Sequence, residues 1–298
     1  MNKILVLMST YNGEKYVDLQ VKSVLNQKQV SVKLYIRDDG SKDKTVDIIK
    51  SFKDDRITIF EGRNKGARDS FFELIESAPL DFDYYAFCDQ DDYWEDDKLF
   101  CAVSKLEMVD SKRPSLYYSG QVITDSKLNV IAQHNLDTGR SFGANFIFNQ
   151  MAGCTAVFNV ELLKKLKMYF PHDIFGHDTW CFKLCAALEG NIIVESKGHI
   201  LYRQHENNVV GLKNSFAGKL ARSKEYIFSY KDSNYAQQIL NAHENEISDS
   251  WKEFLKLICQ VSQGSLKAKI GLMKSDLIDF NSVPLRALFI IKVILGTI

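Results

Sequence analysis

Short apolar runs alternate with segments of helical periodicity over the first 110 residues, and this alternation limits the possible folds more than any other feature. The apolar runs predict strands at residues 4–8, 33–37, 57–60 and 84–88. The amphipathic segments predict helices at residues 15–26, 45–52, 67–77 and 96–110. Regular alternation of this kind produces a mostly parallel sheet with helices on both faces. We therefore expect an α/β, Rossmann-like fold.

Polar clusters follow three of these predicted strands at the point where each strand ends. They are Ser-Thr-Tyr-Asn at 9–12, Asp-Asp-Gly-Ser at 38–41 and Asp-Gln-Asp-Asp at 89–92. The carboxyl ends of parallel strands meet at one edge of a sheet, and such folds bind their ligands there. The sequence therefore predicts one polar site built from the three clusters.

The third cluster is an acidic run whose three carboxylates repel one another. A hard divalent cation held by these oxygens, itself bound to a diphosphate, would offset the repulsion. Most acidic runs are solvated loops. Large aromatic residues flank this one on both sides, which favours a partly dry site over a solvated loop: Tyr85, Phe87, Tyr93 and Trp94.

The other polar motifs have two interpretations each. Asp-Gly within residues 38–41 is a turn signal, and Ser41 or Asp43 would cap the next helix. A carboxylate here also suits a pyrimidine imide or a ribose hydroxyl, and both roles stay open. Residues 63–66, Arg-Asn-Lys-Gly, suit an anion or the edge of a nucleotide base before a helix. On this motif alone an ordinary loop is the better interpretation.

Composition excludes some classes of function. Lys and Arg number 38 and so do Asp and Glu, so the chain lacks the basic surplus of generic nucleic-acid binding. The six cysteines form no CxxC pair, and we expect them to be reduced, buried residues of a cytosolic protein. We expect neither a secretory signal nor a spanning helix, because the longest apolar stretch, residues 285–298, is shorter than the roughly 18–20 residues that spanning requires.

The chain changes character near residue 214. The part before it mixes predicted strands at residues 116–118, 122–124, 153–158, 192–195 and 199–202 with predicted helices at 160–167 and 178–188. The part after it is helical and basic. We therefore predict a sheet domain at residues 1–214 and a helical C-terminal region at residues 215–298.

Residues 284–298 are too apolar for a free tail. Three interpretations stay open: a helix packed on the body, a contact within a homo-oligomer, or an interfacial anchor on a membrane. A lipid-linked acceptor would give an anchor a purpose. Nearby basic residues favour attraction to anionic lipid: Lys219, Arg222, Lys224, Lys252, Lys256, Lys267, Lys269 and Lys274.

Four motifs together resemble, in order and spacing, those of family 2 nucleotide-sugar glycosyltransferases of GT-A fold: residues 9–13, 38–41, 63–66 and 89–92. The form Cys-Asp-Gln-Asp-Asp-Tyr-Trp at residues 88–94 is most similar to bacterial rhamnosyltransferases that build cell-wall or capsular polysaccharide. The resemblance covers about residues 1–212. It implies a GT-A sheet domain, and we expect a helical C-terminal extension after it.

The resemblance also implies roles on the donor side. Asp91 would be the main ligand of a Mn²⁺ or Mg²⁺ ion that bridges the donor diphosphate, with Asp89 and His205 as further ligands. Asp39 would read the pyrimidine, and Arg203 would neutralise phosphate. The full set of implied nucleotide-sugar contacts is Thr10, Tyr11, Asn12, Asp38, Asp39, Arg63, Lys65, Asp89, Gln90 and Arg203.

A later segment, His-Asp-Thr-Trp at residues 177–180, resembles the one that carries the catalytic base of inverting members. This implies that Asp178 takes the proton of the acceptor hydroxyl. The alternatives are that Asp178 only caps the following helix, or that His177 is the base. Trp180, together with Trp94, would stack on a sugar face. The implied acceptor-side residues are Gly153, Cys154, His177 and Trp180.

Two positions depart from the family pattern. Many members have Glu-Asp where this chain has His177-Asp178, which leaves the role of His177 open. Asp92 adds a third carboxylate to the acidic run, so the pair of carboxylates that binds the metal also stays open.

The sequence therefore predicts a metal-dependent, inverting glycosyltransferase that moves L-rhamnose from dTDP-rhamnose onto a hydroxyl of a growing, lipid-linked cell-wall or capsular glycan. We expect it in the cytoplasm or on the inner face of the membrane. A UDP-galactose or UDP-N-acetylglucosamine donor is the first alternative, and a non-catalytic nucleotide-sugar binding subunit is the second. A nucleotidyltransferase is a weaker one, because the loop after the first strand lacks the extra glycines and the lysine of a phosphate loop.

Overall fold

A computed structural model describes residues 1–205 and 231–298 of the chain. Its strands are β1 (Lys3–Thr10), β2 (Ser31–Asp38), β3 (Ile57–Glu61), β4 (Tyr84–Cys88), β5 (Tyr93–Trp94), β6 (Ser115–Thr124), β7 (Val130–His134), β8 (Val157–Asn159) and β9 (Asn191–Arg203). Its helices are α1 (Val17–Leu25), α2 (Thr45–Ser51), α3 (Ala67–Ser77), α4 (Lys98–Leu106), α5 (Phe142–Ile147), α6 (Val160–Met168), α7 (His177–Ala187), α8 (Asp232–His243), α9 (Asp249–Ser262), α10 (Leu266–Met273) and α11 (Val283–Leu295).

The described strands form one mixed sheet in the order β3-β2-β1-β4-β8-β6-β9-β5, with β7 paired to β6. Strands β3, β2, β1 and β4 are parallel to one another, as are β6 and β9. Strand β8 runs antiparallel between β4 and β6. The α/β, Rossmann-like prediction is confirmed, and the carboxyl ends of β1, β2 and β4 lie side by side at one edge.

The predicted alternation is confirmed over the first 110 residues, and α3 and β4 have the predicted bounds. Two pairs of predicted strands instead join into the long strands β6 and β9, because pairing continues across polar residues that resemble breaks. The two strands shift register near Gly120, where an added Cβ would lie 2.2 Å from the Ser196 carbonyl oxygen. Gly120 therefore marks a close backbone approach and not the end of a strand.

The predicted strand at residues 153–158 is wrong over its first half. Gly153–Thr155 forms a 3-10 turn, closed by hydrogen bonds from the Thr155 amide (3.0 Å) and Thr155 Oγ1 (2.8 Å) to the Ala152 carbonyl. The turn brings Gly153 to the sheet edge before β8 begins. The sequence patterns also missed β5, β7 and α5, which are short or solvent-exposed.

The sheet separates two apolar cores. Alternate side chains of β1 point to opposite faces, as a strand requires: Val6 lies in one core, and Leu5 and Leu7 lie in the other. Helices α1, α2 and α4 cover the first core, and α3, α6 and α7 cover the second. The C-terminal helices extend the second core with large residues such as Trp251 and Phe254.

Two buried contacts fasten the C-terminal helices to α7. Asp232 accepts hydrogen bonds from Lys183 Nζ (2.5 Å) and Lys292 Nζ (3.0 Å), and all three side chains are buried. Tyr235 Oη accepts the backbone N–H of Phe175 at 3.0 Å, immediately before α7. Because losing one partner of a buried ion pair is strongly destabilising, the first turn of α7 depends on these helices.

The helical character predicted for the C-terminal region is confirmed in residues 231–298. The predicted boundary between residues 214 and 215 lies outside the described residues, so the division into two domains stays a prediction. Three of the predicted basic residues also lie outside them: Lys219, Arg222 and Lys224.

Helix α11 is packed on the body along one side only. Phe289 is buried 5.2 Å from the Phe280 ring, and Val293 is buried beside it. The opposite side of the helix exposes apolar residues: Val283, Ile290, Ile291, Ile294 and Leu295. Among the described residues, none of the helices has both the length and the apolar character needed to cross a membrane.

Candidate active site

The loops that follow β1 and β2 are hydrogen-bonded to each other. Thr10 Oγ1 donates to Asp38 Oδ1 at 3.0 Å, and the Asn12 amide donates to Ser41 Oγ at 2.9 Å. Tyr11 remains exposed between these contacts. The first two polar clusters therefore form one continuous edge, as the sequence predicts.

Asp38 uses both carboxylate oxygens to build the turn after β2. Oδ1 also accepts from Ser41 Oγ (2.5 Å), and Oδ2 accepts the amides of Gly40 (3.1 Å) and Ser41 (2.8 Å). Gly40 has a φ of +80°, a left-handed conformation that favours glycine. Asp38 thus closes the turn that its Asp-Gly signal predicts, and its contact with a nucleotide stays a prediction.

Asp39 ties the loop before α3 to the end of β2. Its Oδ1 accepts from Arg37 Nη1 (2.5 Å) and the Lys65 amide (2.8 Å), and its Oδ2 accepts the Gly66 amide (2.8 Å). Both oxygens are buried and already bonded inside the protein. Recognition of a pyrimidine by Asp39 therefore stays a prediction.

Arg37 organises the contacts between the end of β2 and the loop before α3. It is buried, and the sequence analysis did not single it out. Arg37 donates to Asp39, to Ser70 Oγ (2.6 Å) and to Glu73, and Lys65 Nζ pairs with the same glutamate. Arg37 Nη2 also donates to the Arg63 carbonyl (3.2 Å). The network holds the loop on which Lys65 and Arg63 project from the surface.

The Gln90 side chain holds the loop after β1 through two hydrogen bonds to the Tyr11 backbone. The Tyr11 amide donates to Gln90 Oε1 (2.9 Å), and Gln90 Nε2 donates to the Tyr11 carbonyl (3.0 Å). A Cβ on Gly13 would lie 2.1 Å from Oε1, so glycine is required for this contact. Gln90 therefore positions the loop, and its direct contact with a donor sugar stays a prediction.

Three carboxylates from two distant parts of the chain lie near one another at this edge: Asp89, Asp91 and Asp178. Burial raises the pKa of Asp89 well above its usual range, and the nearby charges of Asp91 and Asp178 raise it further. Within the described residues, the ion pairs give none of the three a lysine or arginine partner. The site therefore concentrates negative charge, as the acidic run predicts.

Asp92, the third carboxylate of the run, points inward. Its side chain is fully buried, and Oδ1 accepts the Arg203 amide at 3.1 Å. Below it lies buried Lys98, whose Nζ is 3.6 Å from the Trp94 ring centre. Burial lowers the pKa of Lys98 to about 8, although nearby groups including Asp92 oppose the shift. Asp92 thus has an interior position, whereas Asp89 and Asp91 are partly exposed.

The end of β9 closes the site on the other side. His205 Nε2 lies 2.8 Å from Asp91 Oδ2, and Arg203 Nε donates to the Asp91 carbonyl at 2.7 Å. The Tyr16 ring stacks on His205 with 4.8 Å between ring centres, and the Arg203 guanidinium lies 4.7 Å from the same ring. The structure therefore brings together Asp91 and His205, which the sequence predicts as metal ligands 114 positions apart.

The residues at this position fit the predicted metal. Carboxylate oxygens from Asp89 and Asp91 and the imidazole of His205 form a mixed oxygen and nitrogen donor set, which suits Mn²⁺ and, through its oxygens, Mg²⁺. A cation among them would remove the repulsion that raises the pKa of Asp89.

Asp178 lies in the first turn of α7, with two glycines against it. Its Oδ1 accepts the Thr179 amide at 2.7 Å. A Cβ on Gly176 would lie 2.4 Å from Oδ1, and one on Gly153 would lie 3.1 Å from the Asp178 Cβ. Both glycines therefore leave the space that the carboxylate occupies, and the acceptor-side role of Gly153 stays a prediction.

His177 is enclosed by aromatic rings. It stacks on Phe71 with 3.7 Å between centres and meets the edge of Phe87 at 4.7 Å. Burial lowers the pKa of His177 to about 4, although the charge of Asp178 opposes the shift, so the ring is neutral near pH 7. It supports the first turn of α7 from beneath, and its contact with an acceptor stays a prediction.

Two predicted side-chain contacts are wrong, and the side chain of a third predicted residue points inward. Trp180 and Trp94 are both fully buried, so neither indole can stack on a sugar. Cys154 is also buried, and its sulfur lies within 4.8 Å of carboxylate oxygens of Asp89 and Asp92. Its side chain therefore faces the acidic run, and an acceptor-side role for its backbone stays a prediction.

The supports that sequence reasoning missed are Arg37, Lys98 and Tyr16. The sequence does contain a signal for Arg37, which directly precedes two aspartates at the end of a predicted strand. A buried cation at this position must form an ion pair with a carboxylate. Lys98 and Tyr16 had none, because each depends on contacts with residues far away in the sequence.

Comparison with known proteins identifies the family of this chain. The family described as Glycosyl transferase family 2 matches residues 5–166. A dTDP-rhamnosyl transferase, RfbG of Shigella flexneri, is 33% identical over 72% of this chain and 77% of that protein. A UDP-Glc:alpha-D-GlcNAc-diphosphoundecaprenol beta-1,3-glucosyltransferase, WfaP of Escherichia coli, is 28% identical over 41% of this chain and 47% of that protein.

Solved structures share the fold. S. aureus TarS 1–349 in complex with UDP-GlcNAc aligns with a TM-score of 0.60 and 18% identity, over 96% of this chain and 83% of that one. The mannosyltransferase PcManGT from Pyrobaculum calidifontis, in complex with GDP-Man and Mn²⁺, aligns with a TM-score of 0.52 and 15% identity, over 99% and 85%. The GT-A prediction is thereby confirmed. With the family match over more than half its length and a relative one-third identical, this chain is a member of glycosyl transferase family 2.

Proposed function

We propose that this glycosyltransferase is a metal-dependent, inverting rhamnosyltransferase that uses dTDP-rhamnose. The observation that carries the proposal is the meeting of Asp89, Asp91 and Asp178, because transfer needs both a metal site and a base at one place. The donor is supported by RfbG, whose name states a dTDP-rhamnosyl transferase and whose identity extends over 72% of this chain.

In the proposed reaction the acceptor hydroxyl oxygen attacks the anomeric carbon of the donor sugar. The bond from that carbon to the diphosphate oxygen breaks, and the nucleoside diphosphate leaves. Asp178 takes the hydroxyl proton, since it is the partly exposed carboxylate on the α7 side of the acidic run. Displacement in one step inverts the configuration at the anomeric carbon.

Asp91, Asp89 and His205 would hold the metal ion. When bound, Mn²⁺ or Mg²⁺ neutralises the negative charge that develops on the leaving diphosphate. Arg203 supports this arrangement by its bond to the Asp91 carbonyl, and Gln90 holds the loop that carries Tyr11. PcManGT, a neighbour in fold, contains Mn²⁺ with its donor.

A UDP-sugar donor is the second candidate. The names of WfaP and of the TarS complex refer to UDP-Glc and UDP-GlcNAc, and these proteins share the family or the fold. The carboxylates and metal ligands would act in the same way with either nucleotide. Only the base and sugar contacts would differ.

A donor panel separates the two candidates. Hydrolysis and thermal stabilisation would be measured with dTDP-rhamnose, UDP-glucose, UDP-galactose and UDP-N-acetylglucosamine, each with and without Mn²⁺ or Mg²⁺. We expect metal-dependent stabilisation and slow release of dTDP from dTDP-rhamnose alone. Preference for a UDP-sugar would discard the rhamnosyl donor, and binding without turnover by any donor would favour a non-catalytic subunit.

We further propose that the acceptor is linked to a lipid and that the protein meets it on the inner face of the membrane. The exposed side of α11 and the adjacent α10 form an apolar surface: Leu266, Ile270, Met273, Ile290, Ile291, Ile294 and Leu295. Lys269 Nζ joins the two helices through the Ile294 carbonyl at 2.7 Å. Exposed Lys267, Lys274 and Arg286 lie on the same helices or next to them, as attraction to anionic lipid requires.

Vesicle binding tests this surface. Wild type should sediment with phosphatidylglycerol vesicles and far less with phosphatidylcholine vesicles, and Ile291→Glu with Ile294→Glu should abolish the binding. Ile131→Glu, a change at an exposed isoleucine on β7, is the matched control. Equal binding by all three proteins would refute the proposal, as would no binding by wild type, and a dimer that the double variant disrupts would show an oligomer interface instead.

A further inference from the structure

A second cluster of metal-binding side chains lies outside the active site, where α4 begins beside β9. Asp97 directly precedes α4, and Cys101 lies one helical turn later on the same face. His199 reaches the cluster from β9. A carboxylate oxygen of Asp97, the sulfur of Cys101 and a ring nitrogen of His199 all lie within 4.8 Å of one another.

The distances around His199 Nδ1 resemble those between ligands of one metal ion. This nitrogen lies 3.5 Å from Asp97 Oδ1 and 3.9 Å from Glu95 Oε2. Ligand atoms bound tetrahedrally to Zn²⁺ are roughly 3.3–3.8 Å apart, given the usual bond lengths. The Glu95 amide also donates to the His199 carbonyl at 3.2 Å, so the backbone holds the two residues side by side.

The other ring nitrogen of His199 faces a carboxylate of its own. Nε2 is 3.6 Å from Glu195 Oε2, and Glu195 is held by the Tyr117 hydroxyl and by Lys105 Nζ (3.0 Å). A metal-bound histidine usually directs its second nitrogen at such a group. Yet His199 is only 8% exposed, and within the described residues Nε2 makes no hydrogen bond. A buried ring nitrogen without a hydrogen bond is unusual in a folded protein and needs an explanation.

Asp97 occupies the N-cap position of α4, but its side chain does not cap the helix. Aspartate directly before a helix commonly accepts a backbone N–H of the first turn, but the Asp97 side chain makes no such bond. Instead, one of its carboxylate oxygens lies within 4.8 Å of the Cys101 sulfur. A metal ion that displaced the thiol proton could bind both atoms.

We propose that Asp97, Cys101 and His199 bind Zn²⁺, with Glu95 or a water molecule as the fourth ligand. A thiolate and an imidazole favour Zn²⁺ over Mg²⁺ and Mn²⁺, so this site differs in chemistry from the one formed by carboxylates at the sheet edge. The ion would join the start of α4 to β9. The acidic run precedes α4, and β9 ends at Arg203, close to His205. The bound ion would therefore stabilise both segments that build the active site.

Cobalt spectroscopy tests the proposal with a signal that only a cysteine ligand gives. Wild-type protein titrated with Co²⁺ should show a thiolate-to-cobalt band in the near ultraviolet, which one equivalent of Zn²⁺ removes. Cys101→Ser should lack the band. Cys154→Ser should keep it, since it alters the other cysteine that lies near carboxylates in the described part of the chain. Absence of the band in wild type, or its survival in Cys101→Ser, would overturn the proposal.

Thermal unfolding provides a second readout that does not depend on the donor or on catalysis. Saturating Zn²⁺ should raise the Tm of wild type by about 5 °C or more. Asp97→Asn alters a side chain that is 55% exposed, so it should fold and lose most of this shift. His172→Gln, at an exposed histidine, should retain it. Equal shifts in all three proteins would show that Zn²⁺ acts elsewhere and would refute the site.

Discussion

Two groups of carboxylates at the same edge of the sheet have opposite surroundings. Asp38 ends β2 and Asp39 follows it, and each of their four oxygens accepts at least one N–H or O–H from the protein. By contrast, burial and the nearby charges of Asp91 and Asp178 disfavour the charged form of Asp89. The first group is fully bonded inside the protein, whereas the second is the group proposed to bind a cation.

This difference distinguishes residues that build the site from those proposed to act in it. A carboxylate bonded on all sides contributes to folding, and carboxylates that repel each other cost stability and are typical of functional sites. Asp38 and Asp39, like Asp89 and Asp91, are aspartates near the end of a strand, so the motifs alone do not separate the two groups. The predictions below test the comparison by substituting one member of each group.

The largest effect is expected for Asp91→Ala. Loss of this metal ligand should reduce turnover by about 10³-fold or more, since a bound metal supplies several kcal/mol of charge stabilisation. Stabilisation of the protein by Mn²⁺ with a nucleoside diphosphate should disappear as well. Asp81→Ala, at an exposed aspartate before β4, is the control and should behave as wild type. Full activity in Asp91→Ala would reject the metal site.

Asp178→Asn should separate binding from chemistry. The amide keeps the shape of the side chain but cannot take a proton, so we expect turnover to fall by about 10²–10⁴-fold, the usual scale for a general base. Donor affinity, measured by calorimetry with metal present, should be unchanged. A fall in donor affinity with little change in turnover of bound donor would give Asp178 a positioning role instead.

The free energy of unfolding should change in opposite directions when one aspartate of each group is replaced by asparagine. Asp39→Asn removes one of the two carboxylates bonded to buried Arg37 and leaves only Glu73, so it should lower the free energy of unfolding by about 1–3 kcal/mol. Asp89→Asn removes a repelled charge and should increase that free energy in metal-free protein. Denaturant unfolding of both variants without metal checks the signs. Destabilisation by both changes would contradict the comparison.

Much of this site was predictable because it depends on local patterns. Strand ends, the acidic run and the Asp-Gly turn each follow from a few adjacent residues, and parallel pairing then aligns them. The pairing of Asp91 with His205 came from a family resemblance and is present in the structure as a 2.8 Å contact.

Other features depend on contacts that no local pattern encodes. The family resemblance implied that Trp180 stacks on a sugar, but its indole is buried once the C-terminal helices pack on α7. The sequence analysis did not single out Lys98, because its burial near Asp92 depends on tertiary packing. The ion pairs of Asp232 with Lys183 and Lys292 likewise join residues at least 49 positions apart.

The smallest effect is expected from pH, through His177. The pKa of its buried imidazole is about 4, whereas the ordinary value is 6.5. Between these values the unfolded chain binds a proton that the folded chain excludes, so the free energy of unfolding should fall as the pH is lowered from about 6.5 towards 4. The shift corresponds to at most about 3 kcal/mol. Above pH 6.5 this histidine should contribute no pH dependence.

His177→Phe removes the pH dependence that comes from His177, because phenylalanine can stack on Phe71 without binding a proton. Unfolding by urea at pH 7, 6 and 5 should show wild type losing stability relative to the variant at each step down. His172→Phe, at an exposed histidine, should remain parallel to wild type. Curves for His177→Phe that also remain parallel to wild type would mean that the ring is protonated as easily in the folded protein as in the unfolded chain. The aromatic enclosure would then not keep it neutral, and His177 would again be a candidate for the base.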